Sequence, residues 1–415
     1  MGLLEFAKKL EPDKKKSPFL HTVYDGFFTF LFTPNTVTRG GVHVRDAMDL
    51  KRTMTFVVLA LMLPFVFGTY NIGQQHFMAI GQHTGYFEAL HLKLVFGLIK
   101  IVPIWVVSMV VGLGIEFYFA NRKGHGIEEG FLVTGALIPL IMPPDIPLWI
   151  LTVSIVFAVI LGKEAFGGTG MNIWNIALLS RVFVFFAYPT TISGDTVWVA
   201  GFDQLAPGAA VDYGWAEHLF NGLFNAFGWS TFNDSAHITD AFTGATPLGI
   251  AAHAGWHEVT EVYAPSQMWW GVIPGSIGET SKPLILIGAL MLIVTGIASW
   301  RIMAGMILGA ALVALGLNAW GATPFMEVPW YYQFYMGSFF FAMAFMATDP
   351  VTGSNTPRGK WIYGFLIGCI GMVIRVLNPA YPEGWMLAIL LLNTFVPLID
   401  YLVVQSNITK RLKRA

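Results

Sequence analysis

The sequence predicts an all-α membrane protein of about ten transmembrane helices arranged as two inverted five-helix repeats, and three observations predict it. The first is composition: 55% of the 415 residues are hydrophobic and 12% charged, with a mean hydropathy of +0.61, where soluble chains carry roughly 25% charge. The second is length. Ten apolar stretches approach the roughly 20 residues that cross a hydrocarbon layer about 30 Å thick, near 53–71, 95–119, 129–143, 147–163, 173–189, 283–300, 302–320, 329–348, 361–377 and 385–404. The third is the alternation of cations between successive connections, which orients the spans.

Residues 1–52 form a cytoplasmic N-terminal segment in this reading. Lys8, Lys9 and Lys14 to Lys16 are followed by a mixed stretch rather than the clean apolar core of a signal peptide, so the segment is expected to be retained. Ser17 to Pro34 is rich in Phe but interrupted by His21, Asp25 and Gly26, as suits a helix lying in the membrane interface. Residues 53–189 hold the first repeat. Its third and fourth spans are short and parted only by Pro143-Pro144-Asp145-Ile146-Pro147, a tight re-entry or a pair of broken helices. Residues 190–282 form one long connection, 283–404 the second repeat and 405–415 a basic tail.

Arg39, Arg45, Lys51 and Arg52 precede the first span, Arg122 and Lys123 follow the second, and Lys163 follows the fourth. Arg301 parts the sixth from the seventh, Arg358 and Lys360 follow the eighth, and Lys410, Arg411, Lys413 and Arg414 close the chain. The alternate connections, near 72–92, 143–147, 190–281, 321–328 and 378–384, contain no Lys or Arg. Both termini are therefore expected in the cytoplasm and 190–282 on the outward side, where it carries nine Asp and Glu. The halves echo each other. Met142-Pro143-Pro144-Asp145 through Gly167-Gly168-Thr169-Gly170-Met171-Asn172 parallels Thr348-Asp349-Pro350 through Asn378-Pro379-Ala380-Tyr381-Pro382-Glu383-Gly384. Five spans separate the blocks, and an odd number inverts the second repeat.

Within the cation-free connection lies Asp240-Ala-Phe-Thr243-Gly244-Ala245-Thr246-Pro247-Leu248. Threonines beside Gly and Pro commonly build turns. The other reading is covalent modification: small neighbours leave the Thr246 hydroxyl open to a modifying enzyme, with Asp240 as a recognition charge. The stretch matches the recognition pattern of flavin transferases, which join FMN through its phosphate to the second threonine.

Together with Val44-Arg45-Asp46, Glu129-Gly130-Phe131, Lys163 to Gly170, Phe186-Ala187-Tyr188-Pro189, Ile192 to Asp195, Pro274 to Glu279 and Asn378 to Gly384, the motif makes nearly the whole chain resemble the family of B-type membrane subunits of Na+-translocating NADH:quinone oxidoreductases. The D-type subunit of the Rnf complex shares the motif and the span pattern, usually without so long an N-terminal segment. The resemblance implies a urea-transporter-like fold and an electron-transfer role, with Thr246 carrying covalent FMN and Asp240, Thr243, Gly244 and Ala245 recognised around it. It implies noncovalent riboflavin at Asn172 and Asn175, amides that both donate and accept, for which helix capping is the structural alternative. It also implies a quinone region at Gly112, Glu116, Glu129, Gly130 and Phe131, with Leu113 standing where the family has a second glycine. The implied partners are the NADH-oxidising and other membrane subunits, a flavin transferase, quinone and Na+, in a bacterial inner membrane. A rival from another class is a non-redox channel or transporter of the same fold.

Asp349 and Asp400 are further carboxylates at span edges, candidates for an ion path because a hard cation prefers oxygen ligands. Glu116, equally costly near hydrocarbon, calls for proton work or a cation on a neighbouring subunit. Arg375 is expected either to face a flavin phosphate or to snorkel to the interface. Trp256, Trp269 and Trp270 are read as interfacial anchors. His253, His257, Glu258 and Glu261 have helical spacing but complete no metal signature, so no metal site is expected. A net charge of −1 and a pI near 6.8 give no sign of nucleic-acid binding. The lone Cys369 excludes a disulfide within the chain and a cysteine-ligated cluster. No Gly-x-Gly-x-x-Gly follows a strand, so NADH is expected to bind elsewhere.

Overall fold

The computed structural model describes residues 9–13, 17–32, 40–41, 50–123, 130–194, 196–202, 211, 213–233, 237–239, 242–378 and 381–414. Among these there is no β-strand, and helices follow the apolar stretches of the sequence. Asp240, Glu129, Val44 to Asp46, Asp195, Pro379 and Ala380 lie outside the described residues.

α1 (Pro18–Leu31) occupies the predicted interfacial stretch and starts at a proline, whose missing N–H is harmless in a first turn. α2 (Leu50–Ala79) and α3 (Leu90–Lys123) carry internal prolines, Pro64 and Pro103, as long membrane helices tolerate. α4 (Gly130–Ile141) and α5 (Leu148–Gly162) part at the predicted proline cluster, and α6 (Ile176–Ala187) follows. The long connection folds into α7 (Trp215–Ala226), α8 (Pro247–Ala254) and two shorter helices, Trp256–Val262 and Pro265–Trp270. α9 (Lys282–Val294), α10 (Trp300–Trp320), a broken segment, α11 (Pro357–Leu377) and α12 (Trp385–Leu412) complete the chain.

Among the described residues, six helices are long and apolar enough to cross a bilayer: α2, α3, α5 with its extension to Phe166, α10, α11 and α12. Their outer faces expose Val110, Leu312 and Leu398, apolar surface that suits lipid and not water. This is a multi-pass membrane protein. α4, α6 and α9 have 12, 12 and 13 residues, so each covers only about 18–20 Å at 1.5 Å per residue. Non-helical backbone at such depth is stable where protein covers it. Accordingly, the peptide before α9 is tied down by Gly278 N–H donating to Leu140 O at 2.7 Å and Asn71 Nδ2 donating to Ile273 O at 2.9 Å.

One expected span is broken. In place of a continuous helix near 329–348, Tyr332–Tyr335 and Phe339–Phe341 are separate short helices, the second running into a π-helix over Ala342–Met346. The break falls at Gly337, whose φ of +68° is a left-handed geometry that favours glycine. Close approach elsewhere also rests on glycine. Gly305 and Gly309 on α10 face Gly364 and Gly368 on α11, and a Cβ at Gly309 would stand 2.1 Å from Phe365 O. Both helices therefore carry a small-xxx-small ridge that brings their backbones together without a hydrophobic driving force. α3 packs on α5 in the first half as α10 packs on α11 in the second, and α2 meets α9 between them.

Candidate functional site

Two pockets gather Thr246, Gly130, Asn172, Asn175 and Asp349 from the predicted residues, and the first forms around Thr246. Gly244 takes a left-handed turn with φ +66°, and Tyr263 Oη donates to Ala245 O at 2.7 Å. That anchored turn delivers Thr246 in extended geometry to the N-cap of α8, where Oγ1 accepts from Gly249 N–H at 3.0 Å and Pro247 takes the first helical position. Thr243 is exposed, and its hydroxyl accepts from Ala245 N–H at 3.4 Å. The two threonines thus differ: only Thr246 lines the adjoining cavity of about 210 Å³. A phosphoryl group on its hydroxyl would sit at a helix N-terminus, where backbone N–H groups favour an anion.

Across the cavity stand charges that are individually ordinary in the sequence. Arg181, buried on α6, donates from Nη1 to both oxygens of Glu279 at 3.0 Å and from Nη2 to Glu383 at 2.6 Å. Its guanidinium lies 5.9 Å from the Trp198 ring centre. Ser276 donates its hydroxyl to Glu279. Lys282, only 1% exposed, donates to three carbonyls, Thr280 O at 2.8 Å, Glu279 O at 3.2 Å and Gly337 O at 3.4 Å. Arg375 is wholly buried, which overturns the snorkelling reading. Its Nη1 donates to Gln333 O at 2.5 Å and Met336 O at 3.1 Å, and its guanidinium covers Trp385 at 4.9 Å. Among the described residues, Arg375 Nη2 has no hydrogen-bond partner. The identifying signal was present in the sequence, since a cation inside an apolar span is costly unless it has work. What the sequence did not reveal was that Arg181, Glu279, Lys282 and Glu383 line one cavity and that Arg375 backs it.

The second pocket brings together Asn172, Asn175, Asp349, Gly130 and Lys163 among apolar walls that include Val133, Leu292 and Phe345. The asparagines are not a helical turn apart. Both lie in the loop before α6, and Asn175 caps that helix by accepting from Leu178 N–H at 3.1 Å, as the capping alternative expected. Its amide nitrogen also donates to Asp349 Oδ2 at 3.2 Å, so capping and a role in the pocket coexist. Asn172 Nδ2 donates to Trp174 O at 3.0 Å. Asp349 further accepts from Val351 N–H at 3.0 Å and the Thr352 hydroxyl at 3.1 Å. This pocket is smaller, about 90 Å³.

Beside it, Gly112 and Phe131 interlock: a Cβ at position 112 would stand 1.8 Å from the Phe131 ring. Glu116 on α3 is buried and pairs with Lys163 of its own chain, not with a cation awaited from a neighbour. Asp400 stands apart from both pockets. It accepts from the hydroxyls of Ser354 at 2.7 Å and Thr356 at 2.6 Å and from Asn355 N–H at 2.9 Å, which ties the turn before α11 to α12. His257, Glu258 and Glu261 cluster at the surface, while exposed His253 lies on the preceding helix. Trp256 packs 4.3 Å from Tyr332 and Trp269 5.2 Å from Tyr335, so these two are internal props, whereas Trp270 is exposed as an anchor would be.

Residues 37–409 match the model of the NQR2, RnfD, RnfE family. Among curated proteins the chain is similar to the B-type subunit of the Na(+)-translocating NADH-quinone reductase of Chromohalobacter salexigens, 42% identical with 100% of this chain and 97% of that protein covered. Proteins of the same description from Klebsiella pneumoniae and Pseudomonas paraeruginosa are each 40% identical, with both partners covered over 100% of their length.

Proposed function

The chain belongs to the NQR2, RnfD, RnfE family, and on that footing we propose that it is the membrane subunit that relays electrons through flavins to quinone in a Na+-translocating NADH:quinone reductase. The name shared by relatives that match it end to end favours the B-type subunit of that reductase over an Rnf-type one. Bound flavins supply the redox chemistry, and the protein supplies spacing, orientation and charge. Thr246 is the covalent FMN carrier, while Asn172 and Asn175 hold riboflavin with Asp349 behind them. Gly112, Glu116, Gly130 and Phe131 shape the quinone region.

One observation carries this reading: α6 joins the two pockets. Asn175 caps its start in the smaller pocket and Arg181 lines the larger one. They lie six positions apart, about 9 Å along the helix at 1.5 Å per residue. Both cavities fall below the roughly 300 Å³ of a whole-ligand pocket, so each would enclose part of a flavin and leave the rest at its mouth.

The fold reading follows the same axis. The six long helices, the three short apolar ones and the broken segment over 332–346 make ten crossings, with domain bounds at 53–189 and 283–404. Equivalent packing of α3 on α5 and of α10 on α11 supports two repeats, as do breaks ending near Asp145 and Asp349. Their inversion would place the cation-free connection on the outward side of a bacterial inner membrane and both termini in the cytoplasm. Asp349 lies on the candidate Na+ path. Asp400, already supplied with donors, is the weaker claimant.

The test is the chain co-expressed with a flavin transferase, denatured and viewed under ultraviolet light on a gel. A fluorescent band is expected, lost in Thr246→Ala and weakened in Thr243→Ala. A dark wild-type band would favour the channel reading, and fluorescence retained in Thr246→Ala would move the attachment site.

A further inference from the structure

Among the described residues, the ionic cluster beside Thr246 does not balance. Arg181, Lys282 and Arg375 bring three positive charges, and Glu279 and Glu383 bring two negative ones. Both carboxylates bond to Arg181. Lys282 and Arg375 have no carboxylate contact from any side chain among the described residues and are held by backbone carbonyls. A buried cation without a counter-ion is expensive, and among the described residues one nitrogen, Arg375 Nη2, also lacks a hydrogen-bond acceptor.

The position of this surplus charge matters. Gly337 lines the Thr246 cavity. A Cβ on it would stand 2.9 Å from Arg375 Nη2 and 3.0 Å from a Leu248 methyl, so glycine is what lets Arg375 and Leu248 pack this closely behind the cavity wall. Lys282 donates to the carbonyl of that same glycine. Lys282 therefore lines the cavity itself, and Arg375 stands behind its Gly337 and Leu248 wall, past the α8 N-terminus that would receive a phosphoryl group on Thr246.

We propose that Lys282, with Arg375 behind it, forms a cationic seat in the Thr246 cavity for the electron-rich pyrimidine edge of the flavin carried on that threonine, and that the seat raises the flavin's reduction potential. The inference rests on the reading of Thr246 as the flavin carrier. Taking up two electrons and one proton leaves an isoalloxazine with one net negative charge, equal to the surplus positive charge of the cluster. The electrons are those that NADH donates and quinone accepts in the proposed reaction. Arg181 with its two carboxylates acts as a positioning group that holds the walls together.

Spectroscopic redox titration of the covalent flavin in the purified complex tests this. Lys282→Met should weaken the reduced form at least tenfold relative to the oxidised one, a midpoint lower by about 30 mV for a two-electron couple, while Lys282→Arg stays near wild type. Glu383→Gln, which removes a negative charge but keeps an amide oxygen for Arg181, should move the midpoint the opposite way. That arm keeps the proposal testable if Lys282→Met fails to assemble. A gel band that stays fluorescent with an unchanged midpoint in Lys282→Met, or a midpoint that falls in Glu383→Gln, overturns the seat and leaves the carrier intact. A dark wild-type band overturns both.

Discussion

The two pockets sit on one helix and are built from opposite materials. Around Thr246 the polar groups are full charges: Arg181 is shared by two carboxylates, and Lys282 and Arg375 are held by carbonyls. Around Asn175 they are amides and one carboxylate, Asp349, which is itself satisfied by an amide, a hydroxyl and a backbone N–H. The nearest full ion pair there, Lys163 with Glu116, neutralises itself. Each end is thereby suited to a different guest. A cavity with surplus positive charge favours a ligand that is anionic or becomes so, whereas one lined by amides and a single hydrogen-bonded carboxylate favours a polar ring without negative charge.

The contrast is open to direct attack. The largest expected effect is from Arg181→Met, which strips both Glu279 and Glu383 of their cation and should cost about 3–5 kcal/mol, read as a lowered thermal midpoint of the purified complex. A loss below about 1 kcal/mol, the scale of an exposed pair, would mean that the charged end is not held together by charge.

At the other end, Gly112→Ala forces a methyl onto the Phe131 ring and should cost about 1–3 kcal/mol by overpacking. Phe131→Leu in the same chain should recover part of the loss, and failure to recover would place the strain elsewhere. Asn175→Ala removes a helix cap for about 1 kcal/mol and should release noncovalent flavin, measured by extraction, while leaving covalent flavin untouched. If both flavins are lost together, the two pockets are not independent.

The smallest effect belongs to a control outside both pockets. A hydrogen bond from His83 at 2.9 Å holds the exposed Glu88 carboxyl below its usual range. Its contribution is present above that range and is lost as pH falls through the lowered value. Glu88→Gln should therefore flatten a slight acid dependence of the thermal midpoint without altering flavin content. A change in flavin content would tie this loop to the pockets.

Much of the architecture was legible in the sequence because crossing a bilayer is a local demand: each apolar run must be long enough by itself. The starts of α9, α10, α11 and α12 at Lys282, Trp300, Pro357 and Trp385 lie close to the expected ones. The break at Gly337 escaped because its cause is distant: the side chain that crowds it belongs to Arg375, on another helix. Asn172, Asn175 and Asp349 are each legible as polar residues beside apolar spans, but their assembly into one pocket is not, because 174 positions part Asn175 from Asp349.

Hydropathy and local motifs, read over tens of residues, were enough to establish a multi-pass helical chain and its family. Folding in three dimensions was needed to show that Arg181 meets Glu279 and Glu383, which lie 98 and 202 residues away along the chain, and that Arg375 is buried and not reaching for the interface. Apolar burial depends on how much surface is hidden, which composition reports. The role of a buried charge depends instead on which partners come within a few ångströms, and packing alone sets that.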